Sequence, residues 1–190
     1  MAGWWSRLKR PGAAGHDARS FEALVLPHLH AGYNLARWLL RDDSSADDVV
    51  QEASLRALRY FNALRGDDAR AWFLGIVRNA CFDHLGRSSQ ANEQNGLDDE
   101  QIEDLQMAAG QVAADPAQLL DRERQRTRVD AALRALPPPL REVIVLRELE
   151  GLDYAEIAQV TGIPMGTVMS RLSRARARLR ATLAQPSTNR

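Results

Sequence analysis

Residues 153–183, DYAEIAQVTGIPMGTVMSRLSRARARLRATL, constrain the fold more tightly than any other stretch of the 190-residue chain. Tyr154, Ile157 and Ala158 stand at i, i+3 and i+4, the apolar stripe of a short helix. Thr161-Gly162-Ile163-Pro164 interrupts it, because glycine tolerates a positive φ and proline suits the first turn of a new helix. Beyond the break, Val168, Leu172, Ala175 and Leu179 recur at spacings of four, three and four, the inward face of a longer helix. At about 100° per residue, Thr167, Ser170, Ser173 and Arg174 fall on the opposite face, with Arg171, Arg176 and Arg178 on the flanks. A short helix packed against a longer basic one is a helix-turn-helix, suited to base edges at its centre and phosphates at its sides. A solvated amphipathic helix closing a bundle would share the stripe. It would not call for the turn, the small residues near the crossing and the one-sided charge together.

Average charge is uninformative, since lysine plus arginine and aspartate plus glutamate balance at 25 each. Its distribution says more. Residues 93–104 hold six acids and no base, whereas 164–184 hold five arginines and no acid. One stretch suits phosphate and the other avoids it. Cys81 is the only cysteine. That excludes an intramolecular disulfide and a multi-cysteine zinc site, fits a reducing compartment, and leaves a small side chain expected to be buried. No apolar run reaches membrane-spanning length and no signal-peptide core is visible, so a cytoplasmic chain without membrane insertion is expected. His28 and His30, two apart on a helix, do not face each other. His84 beside Asp83 lacks a nucleophile pattern. No metal, no cofactor and no enzymatic activity are expected.

Strand patterning is nearly absent. Helical spacing dominates 21–41 (Phe21, Leu24, Val25, Leu29, Leu35, Trp38, Leu39), 46–64 (Val49, Val50, Ala53, Leu58, Phe61) and 69–86 (Trp72, Phe73, Ile76, Val77, Ala80, Leu85). Asp42-Asp43-Ser44-Ser45 and Arg65-Gly66-Asp67-Asp68 are turn and N-cap chemistry between them. The pattern lapses over 88–115 into Gln, Asn, Ser, Gly and acids, a flexible linker composition. It resumes near Pro116, and Pro137-Pro138-Pro139 separates two further helices. The expected fold is all-α, two small helical domains joined by a flexible acidic linker, the second with the helix-turn-helix. The expected divisions are a disordered tail (1–20, with Trp4 and Trp5), a first domain (21–87), the linker (88–118), a second domain (119–184) and a short tail (185–190).

Several segments resemble one family in order. Ala46-Asp47-Asp48-Val49-Val50-Gln51-Glu52-Ala53 resembles region 2.2 of bacterial sigma factors, and residues 71–85, AWFLGIVRNACFDHL, resemble regions 2.3 and 2.4. Leu136-Pro137-Pro138, Arg141-Glu142-Val143, Glu150-Gly151-Leu152, Tyr154-Ala155-Glu156-Ile157-Ala158 and Gly166-Thr167-Val168 follow the region 4 pattern. The absence of a region 1.1 and of a folded region 3 points to the extracytoplasmic-function (ECF) group of RNA polymerase sigma factors.

The resemblance implies an alternative sigma factor that binds core RNA polymerase and directs promoter-specific initiation. Asp48, Gln51 and Glu52 would meet the clamp helices of the polymerase, an acidic and amide-bearing face suited to a basic surface. Arg65, Arg70, Trp72, Phe73, Arg78, Asn79 and Arg87 would read and melt the minus-ten element, which takes a pocket for an extruded base, hydrogen bonds to its edge and stacking side chains. Trp72 and Phe73 point about 100° apart, so one of them, Trp72, is expected in the core. Thr167, Ser170, Arg171, Ser173, Arg174 and Arg178 would contact the minus-thirty-five element. Met169 departs from the family, which carries lysine or arginine after Gly-Thr-Val, and Ser173 is smaller than in some members. Promoter DNA, core polymerase and an anti-sigma factor are the implied partners. The acidic linker would thread the polymerase channel that later carries RNA.

Two other functions are compatible with parts of the pattern. A sigma-like protein-binding module that sequesters an anti-sigma factor should lose its basic recognition face, yet Arg171, Arg174, Arg176 and Arg178 remain. A helix-turn-helix repressor would leave Asp48, Gln51, Glu52 and the 72–85 segment without a role.

Overall fold

The computed structural model describes residues 15–64, 68–95 and 116–184. The regular elements among them are helices: α1 (Gly15–Val25), α2 (Leu29–Leu40), α3 (Asp43–Arg59), α4 (Ala69–Asn95), α5 (Pro116–Arg134), α6 (Pro138–Ile144), α7 (Tyr154–Thr161) and α8 (Met165–Ala184). The all-α class read from periodicity is the class observed. Short 3-10 turns occur at Leu26–His28 and Phe61–Ala63, and α6 runs on into a π-helical turn at Val145–Leu149.

Local chemistry accounts for most of the boundaries. The spacing predicts continuous helix over 21–41, but the structure divides it at Leu26–His28, where Pro27 has no amide hydrogen to donate. Asp42 caps α3 by accepting the Ser45 amide at 2.7 Å. Hydrogen bonds from Ser45 hold its carboxyl below the usual range. Asp68 serves α4 in the same way, accepting from the Ala71 amide at 2.9 Å. Helix α4 runs to Asn95, past the expected start of the linker. Residues 88–95, SSQANEQN, contain neither Gly nor Pro to stop it. The rest of the acidic stretch, residues 96–115, lies outside the described residues, as do Trp4, Trp5 and the C-terminal tail. Helix α1 begins at Gly15, inside the segment expected to be a disordered tail.

Helices α2, α3 and α4 pack around Leu35, Val49, Phe73, Leu74 and Val77, all fully or almost fully buried. Gly32 permits the close approach of α2 to α4, since a Cβ there would stand 2.8 Å from the Phe73 ring. The expectation for the aromatic pair is reversed. Phe73 is completely buried, while Trp72 is only partly so. The reason is register: Phe73, Val77 and Ala80 share one face at i, i+4 and i+7, and Trp72 lies on its margin, edge-on to Phe61, which is edge-on to Phe21. Leu58, placed in the core by its spacing, is 38% exposed.

The C-terminal helices bury Val143, Leu146, Leu152, Ile157, Val168 and Leu172. These residues belong to the same continuous core as the N-terminal ones, because α7 lies on α4 and α6 lies on α2. At Gly75, α4 comes so near the end of α7 that a Cβ would be 3.9 Å from the Val160 carbonyl oxygen. Sequence periodicity shows which faces are apolar, not which of them meet.

Phe73→Ala is expected to lower the unfolding free energy in urea by about 3–5 kcal/mol, with Trp72→Ala costing clearly less. Equal losses would contradict the division between core and margin.

Candidate nucleic-acid interface

The helix-turn-helix is assembled by local interactions. Asp153 accepts the Glu156 amide at 2.8 Å while Glu156 accepts the Asp153 amide at 2.6 Å, a reciprocal cap on α7. Gly162 ends α7 in the left-handed region at φ 68°. Pro164 precedes α8, and its carbonyl accepts the Val168 amide at 3.1 Å. Val168, Leu172 and Ala175 are buried, which fixes the rotation of α8 against α6 and α7.

That rotation leaves Ser170, Ser173, Arg174 and Arg178 exposed and Thr167 and Arg171 half-buried. All six expected minus-thirty-five residues therefore lie on α8 away from its packed stripe. The Arg174 Nε donates to the Ser170 carbonyl at 3.3 Å, laying the side chain along the helix. Arg176 is held back by Glu148, at 2.7 Å. An arginine outer face flanking short hydroxyls can contact phosphates and base edges.

The expected minus-ten residues on α4 are more dispersed. Arg65 lies outside the described residues. Phe73 is core and cannot stack on a base in this arrangement. Asn79 is exposed, and its side-chain oxygen accepts from Arg78 at 3.4 Å. Arg87 reaches Glu52 at 3.5 Å. Arg78 and Arg70 are engaged by the C-terminal helices. Arg78 forms an ion pair with Glu142 of α6 and lies 4.6 Å over the Phe82 ring. The Arg70 guanidinium donates to the Glu150 carbonyl and stands 3.4 Å from its carboxylate, which also accepts from Asn34 at 3.1 Å. Two of the residues expected to meet the minus-ten element are thus occupied by carboxylates.

The environment of Glu142 is unusual. Its side chain is 1% exposed. Burial pushes its carboxyl up, and Arg78, followed by Arg171, acts in the opposite direction. Cys81 is buried as expected; burial, with Glu142 nearby, pushes its thiol up to about 12. On the other side of the contact, Arg41 of the N-terminal helices and Arg141 of α6 both donate to the Arg134 carbonyl oxygen. Burial and the charges of Arg41 and Arg134 lower Arg141 to about 10. The Nε atoms of Arg41 and Arg141 are buried without a hydrogen-bond partner among the described residues.

On α3, Asp48 and Gln51 are exposed, and Glu52 is half-buried against Arg56 at 2.6 Å. Sequence reasoning missed Leu55. It is 46% exposed, at i+4 from Gln51 and i+7 from Asp48, and adds an apolar contact to that acidic edge. The signal was an apolar residue out of register with Val49, Val50 and Ala53.

A capped helix-turn-helix with an exposed arginine face, carried on an all-α chain, defines a DNA-binding protein of the helix-turn-helix class. Residues 24–90 match the family described as Sigma-70 region 2, and residues 126–179 match Sigma-70, region 4. The chain is 34% identical over 165 residues to RNA polymerase sigma-H factor of Pseudomonas aeruginosa, covering 84% of each. It is 35% identical over 165 residues to ECF RNA polymerase sigma-E factor of Escherichia coli K12, again covering 84% of each. Among solved structures it resembles the sigma factor RpoE in complex with the anti-sigma factor NepR from Bartonella quintana. That match has a TM-score of 0.70 and 26% identity, covering 90% of this chain and 99% of that one. CnrH in complex with the cytosolic domain of CnrY matches with a TM-score of 0.59 and 29% identity, covering 87% and 88%. The chain belongs to the sigma-70 family, in its extracytoplasmic-function group. Among the described residues, no helix is long and apolar enough to cross a membrane.

Arg78→Ala strips the buried Glu142 of its partner on α4. The expected loss in urea-monitored stability is at most about 3–5 kcal/mol, the scale for breaking a buried pair, reduced because Arg78 is one-fifth exposed and Arg171 remains near. Glu142→Met, similar in volume, should cost less. Equal costs would show that the charge of Glu142 is not what Arg78 compensates.

Proposed function

We propose that this chain binds core RNA polymerase in the cytoplasm, directs it to a set of promoters and opens DNA at the minus-ten element. The observation that carries this is the outer face of α8, where Ser170, Ser173, Arg174 and Arg178 are exposed on a helix whose other side is locked into the core. Thr167 and Arg171 complete the minus-thirty-five contact from its edge. Residues 119–184 act as that upstream reader, residues 21–87 as the polymerase-binding and minus-ten unit, and residues 88–118 as the tether between them.

Asp48, Gln51 and Glu52, extended by Leu55, form the edge that meets a basic surface of the polymerase. The acids steer association, and Leu55 adds apolar burial. Asn79, exposed and bearing both donor and acceptor, reads an extruded base. Trp72, with one margin accessible, supplies the stacking surface that Phe73 does not. Arg65, Arg70, Arg78 and Arg87 neutralise phosphates. For Arg70 and Arg78 this requires the two groups of helices to part, so that phosphates take the places of the Glu150 and Glu142 carboxylates. An anti-sigma factor is the implied protein partner, as in the complexes of the two similar solved structures.

Adding the purified chain to core polymerase should produce promoter-specific transcripts, and failure on every genomic promoter tested would sink the assignment. Arg174→Ala should weaken binding to duplex upstream DNA by roughly 1–3 kcal/mol; an unchanged footprint would move Arg174 off the interface. Asn79→Ala should impair strand opening, read by permanganate reactivity of unpaired thymines, while polymerase binding persists. Loss of polymerase binding would make Asn79 structural instead.

A further inference from the structure

Helix α8 divides its apolar side chains into two groups. Val168, Leu172 and Ala175 are buried in the core. Met165 and Met169 are not: they are 50% and 53% exposed. They stand four residues apart, so they are neighbours on the helix surface. They also occupy its first two turns, the end that a recognition helix presents to base edges. The next position along the same row is the exposed Ser173, whose short side chain leaves the outer side of Met169 open. Ser170 lies beside Ser173, three residues away, and Arg174 lies farther round the outer side, on a helix that carries five arginines and no acid. The charge of the helix favours a polyanionic partner, whereas these two side chains favour an apolar one.

A methionine thioether is at best a weak acceptor and has no donor. It cannot bond the acceptor atoms of guanine or of a phosphate. In the major groove, the apolar feature that distinguishes one base from the others is the 5-methyl group of thymine. An unbranched, flexible side chain can adapt to a methyl group that projects into the groove. We propose that Met169, with Met165 beside it, is a specificity-determining contact that selects thymine by its 5-methyl group within the minus-thirty-five element. This rests on the reading of α8 as the helix that contacts upstream DNA. A charge contact at this position would be indifferent to the methyl, whereas a thioether contact depends on it.

The test uses holoenzyme reconstituted from the full chain and core polymerase, with duplex promoter probes. Each thymine of the upstream element is replaced in turn by deoxyuridine, which deletes the methyl and keeps every hydrogen bond. One or two positions should lose about fourfold in affinity, the value of one buried methyl-sized group. At those positions Met169→Ala should bind thymine and uracil probes equally, and Met169→Leu should keep the discrimination. Arg174→Ala should weaken both probes by the same factor. Equal binding of thymine and uracil at every position by the unaltered chain would overturn the proposal. So would a preference that survives the Met165→Ala, Met169→Ala double substitution. Indifference of the holoenzyme to the whole upstream element, with Arg174→Ala silent, would overturn the reading of α8 itself.

Discussion

The buried Glu142 carboxylate is the charge that ties α4 to the C-terminal helices. Taking a carboxylate out of water costs several kcal/mol after relaxation, and only close cationic donors offset it. Arg78 of α4 supplies such a donor and so joins the two halves of the chain. Arg171 of α8, within the half that carries Glu142, acts on the carboxylate only through its charge, without a hydrogen bond. Arg70 and Glu150 repeat the arrangement at the start of α4, with the Glu150 carbonyl as a further acceptor.

Opposing these pairs is a cluster of like charge. Arg41, Arg134 and Arg141 converge where α2 meets the C-terminal helices, and two of their Nε atoms are left without partners. A buried donor that loses its hydrogen bond to water costs about 1–3 kcal/mol. Attraction at one end of the contact and repulsion at the other leave a smaller net stabilisation than the continuous apolar core would suggest. That balance fits the parting of the two groups of helices proposed above. Carboxylates on guanidinium groups are the same chemistry that phosphates would supply, so the exchange replaces one set of charge-assisted bonds with another.

Helix α8 is organised differently. Its rotation is set by three buried side chains and by the capped turn before it, all within the C-terminal helices. Its outer face needs no rearrangement to be complete. The chain thus combines one arginine-bearing face that is preformed with another whose arginines are engaged internally, and in the reading proposed above these would serve the two stages of promoter recognition.

Sequence alone determined what depends on near neighbours in the chain. The 3.6-residue spacing placed the helices, Asp42 and Asp68 fell in the two segments read as helix starts, and Gly162 with Pro164 defined the turn. The stripe of Val168, Leu172 and Ala175 assigned the outer face of α8 correctly, because on a well-packed helix the buried face dictates the exposed one. The tertiary structure decided what depends on contacts between distant segments. It put Phe73 rather than Trp72 in the core, since adjacent helical positions differ in burial only through the neighbours that cover them. It left Leu55 exposed beside Asp48 and Gln51 and turned Arg70 and Arg78 toward Glu150 and Glu142, partners 80 and 64 residues away. A charge pattern along the chain records how many arginines a helix carries, but only the packing of α4 against the C-terminal helices decides which carboxylate each of them meets.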